Sequence, residues 1–277
     1  MTKSAVSKRI VMLEDDLGVK LLHRTTRKIS LTEAGKTYYD YMRTAANLVF
    51  GGHDAVSQMQ SNAHGTLKIT LPMVFGRLHV SPILSQFMRS NPHIQLQVTM
   101  DDRDVDLVGD GFDIGIRIGR LADSSLIARK LSTCSSVICA SPRYLQREGM
   151  PKNLTDLYDH NCMAYAGQRG GMTWRVNGPS GEERFTPKGN FIVNNSEALY
   201  EALLADLGIC QMPKFIVAPA LTSGKLVTIL DEYKLPEHHI FAVYPQRKYM
   251  PEKVRCLLDF FIESFGEGSE YQKEYEW

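Results

Sequence analysis

The sequence predicts an α/β chain preceded by a small basic head and a long helix, and three observations carry that expectation. Strand-like and helix-like stretches alternate from Gly65 onward. Apolar residues repeat at heptad spacing from Ala34 to about Gln60, and a helix followed by a cationic hairpin occupies Met1 to Leu31. At 277 residues the chain exceeds one ordinary core and suits two or three compact units. Its formal charge of +1 hides an asymmetry: residues 1–31 hold seven Lys and Arg against three Asp and Glu, whereas residues 61–277 hold 23 against 25. The basic end points to a polyanion as partner, and the remainder does not.

In the head, Val6, Ile10, Leu13 and Leu17 recur at steps of four, three and four, which puts them on one helical face able to pack on a small core. Ser4, Ser7 and Lys8 lie on the other face. Small hydroxyls and a lysine there can donate to phosphates and base edges without bulk. Gly18 closes the helix. Leu21-Leu22-His23-Arg24 and Lys28-Ile29-Ser30-Leu31, around Thr25-Thr26-Arg27, suit a short hairpin with Arg24, Arg27 and Lys28 near its tip. Either segment alone could be a solvated amphipathic helix or a basic loop. Together they are more specific, and read as the second half of a winged helix-turn-helix.

A long helix begins at Thr32. Ser30 and Glu33 fit a capping box, with Thr32 as the competing N-cap. Ala34, Tyr38, Tyr41, Ala45, Leu48, Gly52, Ala55 and Met59 alternate steps of four and three, and such a 3.5-residue period seeks a partner helix. Gly51 and Gly52 each weaken the helix by about 1 kcal/mol relative to Ala, so it depends on that partner. Packing of the seam onto the chain's own downstream domain is the alternative. Ser61-Asn62-Ala63-His64-Gly65 reads as a hinge.

Beyond Gly65 the alternation argues for parallel sheets. LKITL (67–71), IQLQVTM (94–100) and FDIGIRIG (112–119) read as strands, with a helix over GRLHVSPILSQFMRS (76–90). SVICASPRYL is a strand running into a helix with Ser141 as N-cap and Pro142 in its first turn. A second set follows: CMAY, MTWRV, a turn at Asn177-Gly178, NFIVNN, the helix SEALYEALLADLG, GICQM and KLVTIL. HIFAVYP then returns, PEKVRCLLDFFIESF closes as an amphipathic helix, and GEGSEYQKEYEW is a frayed acidic tail.

Several function classes find no support. No charged segment followed by an apolar one opens the chain, and no run of about 18 apolar residues occurs, which argues against export and membrane spanning and for the cytoplasm. The five cysteines (134, 139, 162, 210 and 256) form no CxxC pair, and their odd number argues for buried thiols over disulfides or zinc. Cys134 and Cys139 as a redox pair is disfavoured, because their spacing along a strand points them to opposite faces. No nucleophile, base and orienting group share a recognisable motif, so no enzyme, metal or cofactor is expected. His238 and His239 are strand neighbours whose side chains diverge.

SAVSKRI, LEDDLGVKLLHRTTRKISLTEAG, DGFDIGIRIGRLADSSLIARKL and ICASPRYL closely resemble, in that order, motifs of the LysR-type transcriptional regulators, and the resemblance runs from Thr2 to about Phe265. It implies a recognition helix and wing of a partial winged helix-turn-helix (1–31), a linker and dimerisation helix (32–62), and a two-lobed periplasmic-binding-protein-like (type 2) effector domain (63–277). Lobe I would span about 65–137 and 239–277 and lobe II about 138–238, joined by crossover strands near 131–138 and 239–244. Members begin with two further helices, about 25 to 30 residues by the usual size of a three-helix head, and here these are expected to be missing. Lys3, Ser4, Ser7, Lys8, Arg24, Thr25, Arg27 and Lys28 are the implied DNA contacts. Effector contacts map onto Met73, Val74 and Phe75 after the first strand, Arg117 and Gly119 after the third, Cys134 and Ser135 in the crossover, and Asn194, Asn195 and Ser196 before the main helix of lobe II. Members with hydroxyls after the first strand differ from this chain, so a carboxylate would rely on backbone N–H groups or Arg117. Arg117 could instead pair with an acid between Asp101 and Asp113, and Asn194–Ser196 could simply cap a helix.

The resemblance implies a ligand-responsive transcription factor: a small molecule closes the cleft and shifts the subunits on promoter DNA, the protein being a homodimer or homotetramer. DNA binding is expected to be impaired without the two helices, leaving salt-sensitive attraction in place of base readout. A bilobal solute-binding protein, and a subunit that disables an intact relative by pairing with it, are the other readings.

Overall fold

The structure is a computed structural model of the chain and describes residues 3–24, 29–57, 63–103, 105–119, 121, 126–167, 172–179, 181–246, 249–266 and 268–269. It divides into two compact units, Met1–Ser61 and Asn62–Trp277. The hairpin tip Thr25–Lys28, the seam's last positions Met59 and Gln60, Ser61 and Asn62 of the expected hinge, and most of the acidic tail lie outside the described residues.

The first unit comprises helix α1 (Lys3–Leu17), strands β1 (Leu22–Arg24) and β2 (Ile29–Leu31), and helix α2 (Glu33–Ser57). α1 stops because Gly18 takes φ +66°, a left-handed conformation that residues with a Cβ resist. Its apolar face is partly covered: Ile10 and Leu13 are half-buried, while Val6 and Leu17 are 42% and 41% exposed. Thr32, not Ser30, caps α2. Its Oγ1 accepts from Gly35 N at 2.9 Å and donates to Lys20 O at 2.7 Å. Ser30 cannot compete, because it is held in β2 opposite His23.

In the second unit the chain forms β3 (Gly65–Leu71), then a helix running from α3 (Met73–Phe75) through a π-helical turn (Gly76–Val80) into α4 (Ser81–Ser90). β4 (Ile94–Met100), β5 (Ile114–Ile118) and β6 (Leu126–Cys134) complete the outward path through the first lobe. The second lobe holds β7 (Ser136–Ala140), α5 (Pro142–Glu148), β8 (Ala164–Tyr165), β9 (Trp174–Gly178), β10 (Gly181–Phe185), β11 (Ile192–Val193), α6 (Ser196–Leu204), β12 (Ile209–Pro213), α7 (Lys214–Thr222) and β13 (Val227–Thr228). β14 (His238–Pro245) and α8 (Glu252–Phe265) return to the first lobe.

The first-lobe sheet runs β4-β3-β5-β14-β6. Leu67, Ile69, Thr70 and Leu71 of β3 are all buried, as befits a strand with neighbours on either side and covered faces. Val254, Leu257, Leu258, Phe261 and Phe265 form the apolar stripe of α8 in the same core. Parallel pairing is confined here to β4, β3 and β5. The chain leaves this lobe along β6 and comes back along β14, so β14 must run against β6, and it pairs antiparallel with β5 as well. The second-lobe sheet β12-β7-β13 is antiparallel throughout, unlike the parallel sheets expected from the alternation.

Two local expectations change. No turn forms at Asn177-Gly178: both residues stay in β9, Gly178 pairs with Gly181, and Asn177 exchanges two backbone hydrogen bonds with Lys234 that hold it extended. α7, absent from the elements expected from the sequence, begins directly after Pro213 at its N-cap and holds Pro219 inside, which removes one intrahelical donor. Burial of Phe215, Ile216, Val217 and Ala220 outweighs the hydrogen bond lost at Pro219. Ser141 does cap α5, accepting from Tyr144 N at 3.1 Å, with Pro142 following.

Candidate functional site

β3 and β4 are parallel neighbours, so their carboxyl ends emerge side by side, with Asp101 N donating to Leu71 O at 3.0 Å. That pairing sets Asp102 beside the start of the helix that runs from Met73 to Ser90. The first N–H groups of a helix lack intrahelical partners, and Met73 N donates to Asp102 Oδ1 at 2.8 Å. Asp102 Oδ2 accepts from Tyr165 Oη at 3.1 Å, at the end of β8 in the other lobe. Burial, then the charge of Asp102, pushes the Tyr165 phenol well above its ordinary range, so it stays a donor. Two further contacts cross between the lobes: Arg77 of the π-helical turn pairs with Glu197 of α6, and Asn195 Nδ2 faces Met73 Sδ at 3.3 Å.

The expected effector residues divide between this place and the core. Met73 and Asn195 meet. Asn195 is also the N-cap of α6, its Oδ1 accepting from Glu197 N at 2.8 Å and Ala198 N at 3.3 Å, which is the simple capping role. Asn194 is exposed and Ser196 half-buried. Val74 and Phe75, expected beside an effector, turn inward. Phe75 packs at ring-centroid distances of 5.3 Å from His79, 5.3 Å from Phe215 of α7 and 5.6 Å from Phe265 of α8. Cys134 is also buried, which pushes its thiol up to about 12, and the adjacent Ser135 O accepts from Lys214 N at 2.9 Å. Arg117 lies opposite Phe241 of β14 and donates from Nη1 to Ile116 O at 2.9 Å. Of the acids considered for it, Asp101 is held down to about 2, chiefly by hydrogen bonds from the Arg103 side chain with the Arg117 charge contributing last, and Asp113 stands 3.7 Å from Lys253 Nζ. Gly119 has φ +105° and donates to His239 O at 3.0 Å. Sequence reading missed Asp102, Tyr165, Arg77 and Glu197. The Asp101-Asp102 pair closing the strand after a βα unit was a usable signal for the first; nothing local marks Tyr165.

His79 lies inside the aromatic cluster, and its Nε2 is 3.2 Å from Phe215 O, an atom that can only accept, so Nε2 carries the proton. Burial pushes this imidazole down to about 3. The unfolded chain takes up a proton near the ordinary value of about 6.5, whereas the folded chain does not until far lower. The contribution is therefore complete above about pH 6.5 and lost as pH falls towards 3, by at most about 1.4 kcal/mol per pH unit. His79→Leu is expected to flatten the decline of melting temperature in that window. An unchanged slope would assign the decline to other groups.

In the first unit, Glu14 joins helix to hairpin. Its buried carboxylate accepts from Leu21 N at 2.9 Å and Leu22 N at 3.0 Å through Oε1, and from Lys20 Nζ at 3.2 Å through Oε2. Those bonds, that from Leu21 foremost, hold its carboxyl below the usual glutamate range. Ser7 and Lys8 stand exposed on α1. Only the backbone of Lys3, Ser4 and Arg24 is described, and Thr25, Arg27 and Lys28 lie outside the described residues.

Comparison with known proteins gives both halves the same parentage. Residues 1–36 match the model of the bacterial regulatory helix-turn-helix proteins of the lysR family, and residues 60–266 match the LysR substrate binding domain. The chain belongs to the LysR family of transcriptional regulators. An uncharacterised HTH-type regulator of Haemophilus influenzae is 37% identical over 90% of this chain and 86% of its own length. PtxR of Pseudomonas aeruginosa is 34% identical over 96% and 85%. Among solved structures, the LysR-type regulator CrgA of Neisseria meningitidis superposes with a TM-score of 0.69 at 30% identity, covering 96% of this chain and 91% of that one.

For this LysR-type regulator, the helix-turn-helix match covers α1 and the hairpin, and it lends no support to the expected impairment of DNA binding. A solute-binding protein without DNA function is set aside by the same match. The relatives of the LysR-type regulator are transcriptional regulators, not enzymes. Among the described residues, no helix is long and apolar enough to cross a membrane, and no cluster of His, Cys, Asp and Glu is placed to hold a metal ion.

Proposed function

We propose that this regulator reads promoter DNA as a homodimer paired through α2, with α1 in the major groove and the β1–β2 hairpin on the sugar-phosphate backbone. A small-molecule effector held between the lobes, beside Met73, Arg117, Gly119 and Asn195, shifts how the paired subunits sit on DNA. Such a role belongs in the cytoplasm. The observation that carries the pairing is the seam of α2, where Tyr41 and Leu48 are 71% and 74% exposed on a helix that a heptad pattern directs towards a partner.

Selection from a random DNA pool by the full chain is expected to enrich a dyad whose half-sites are separated by a whole number of helical turns, about 10.5 bp each. Failure to enrich any sequence would contradict base reading. Tyr41→Asp combined with Leu48→Asp is expected to give a monomer in sedimentation and to abolish enrichment of the dyad. A wild-type chain already monomeric at micromolar concentration would contradict pairing through α2.

A further inference from the structure

Two donors from different lobes converge on one carboxylate: Met73 N–H at 2.8 Å and Tyr165 Oη–H at 3.1 Å, both on Asp102. This is the arrangement that would receive the acidic group of a ligand, and the protein's own side chain fills it. We propose that Asp102 is an internal stand-in for an effector carboxylate, which latches the two lobes together in the ligand-free protein and is displaced when an organic acid binds.

The inference rests on the cleft being the effector site, and its chemistry follows from the partners. Asp102 is carried at the end of β4, so its effective concentration at these donors far exceeds that of a free acid in solution. A simple carboxylate offers nothing further and cannot displace it. An effector must bring its carboxylate together with a second group that contacts the cleft walls, and the cleft is thereby closed to common small acids. Asp102 is exposed, so solvent screens these charge-assisted bonds and leaves the latch open to displacement by a ligand that makes further contacts. The Arg77–Glu197 pair and the Asn195–Met73 contact flank it on the same helix, and displacement of Asp102 frees the lobes to move at the point where both meet.

Chemical rescue tests this with acetate as the probe. The full chain, Asp102→Ala and Asp102→Ala combined with Tyr165→Phe are titrated with sodium acetate and, at equal ionic strength, with sodium chloride, and their melting temperatures followed. Asp102→Ala is expected to melt roughly 3–6 °C below wild type and to regain most of that loss saturably in acetate but not in chloride. The double variant is expected to regain little, and wild type to show no saturable acetate effect. Asp102→Ser takes the same titration where the alanine variant does not fold. Rescue absent from both single variants, or equal stabilisation of wild type, would overturn the stand-in. Neither result bears on DNA selection, so failure here and failure of the regulator reading are told apart.

Discussion

Phe75→Ala is expected to destabilise the second unit by about 3–5 kcal/mol, read as a fall in melting temperature on the order of 10 °C. Phe75 is 1% exposed, and its ring meets the edge of Phe215 at an interplanar angle of 86°, with His79 and Phe265 on other sides. Aromatic pairs in such geometry contribute about 0.5–1.5 kcal/mol beyond the apolar area they bury. The cluster draws on three helices, and α7 belongs to the second lobe. Truncation therefore leaves a cavity where the two lobes pack, which no single neighbour can fill. Phe75→Leu keeps most of the volume and is expected to cost much less. Equal losses for the two substitutions would show that the ring geometry, and not the filled volume, carries the contribution.

Gly35→Ala is expected to abolish specific DNA binding while leaving the melting of the second unit unchanged. Gly35 sits in the first turn of α2 against the backbone carbonyl of Leu21, and a Cβ there would fall inside the van der Waals radius of that oxygen. The carbonyl cannot move aside easily. Leu21 O accepts from Thr32 N at 2.9 Å, and Leu21 N donates to Glu14 Oε1 at the same distance. The clash is with backbone fixed at both ends, so the added methyl must push α2 away from the hairpin and the hairpin away from α1. Overpacking of this kind costs about 1–3 kcal/mol, a large share of what a unit with so small a core can supply. Base reading depends on a fixed helix, so sequence selectivity is lost before non-specific attraction. A Gly35→Ala chain that still discriminates its site would show that the hairpin does not need this contact.

Much of the architecture was legible because it rests on local rules. The α1 stop at Gly18, the Ser141 cap with Pro142 behind it and the stripe of α8 each follow from a few neighbouring residues. β3, β4 and β5 were read from apolar runs and alternation, and their parallel pairing from the βαβ alternation, which gave no sign that β14 runs antiparallel to β5 and β6. What was not legible depended on contacts between distant residues. α7 carries Pro219 inside it and exists because its apolar residues are buried. Asn177 stays extended because Lys234, far along the chain, pairs with it. At the cleft, resemblance directed attention to Met73 and Asn195, which do meet. It also named Val74, Phe75 and Cys134, whose side chains the packing of α3 and β6 turns inward. Asp102 was missed because a carboxylate that satisfies its own neighbour's helix leaves no pattern in sequence; only the parallel pairing of β3 and β4 brings it to Met73.

Fluorescence anisotropy with the full chain decides whether this is a sequence-reading regulator. A duplex carrying the selected dyad and a scrambled duplex of equal length and composition are titrated in parallel at near-physiological salt. The dyad is expected to bind at least about 10³-fold more tightly, and Lys8→Ala to weaken both complexes and shallow their salt dependence. Equal affinities for the two duplexes, falling together as salt is raised, would contradict base reading by α1.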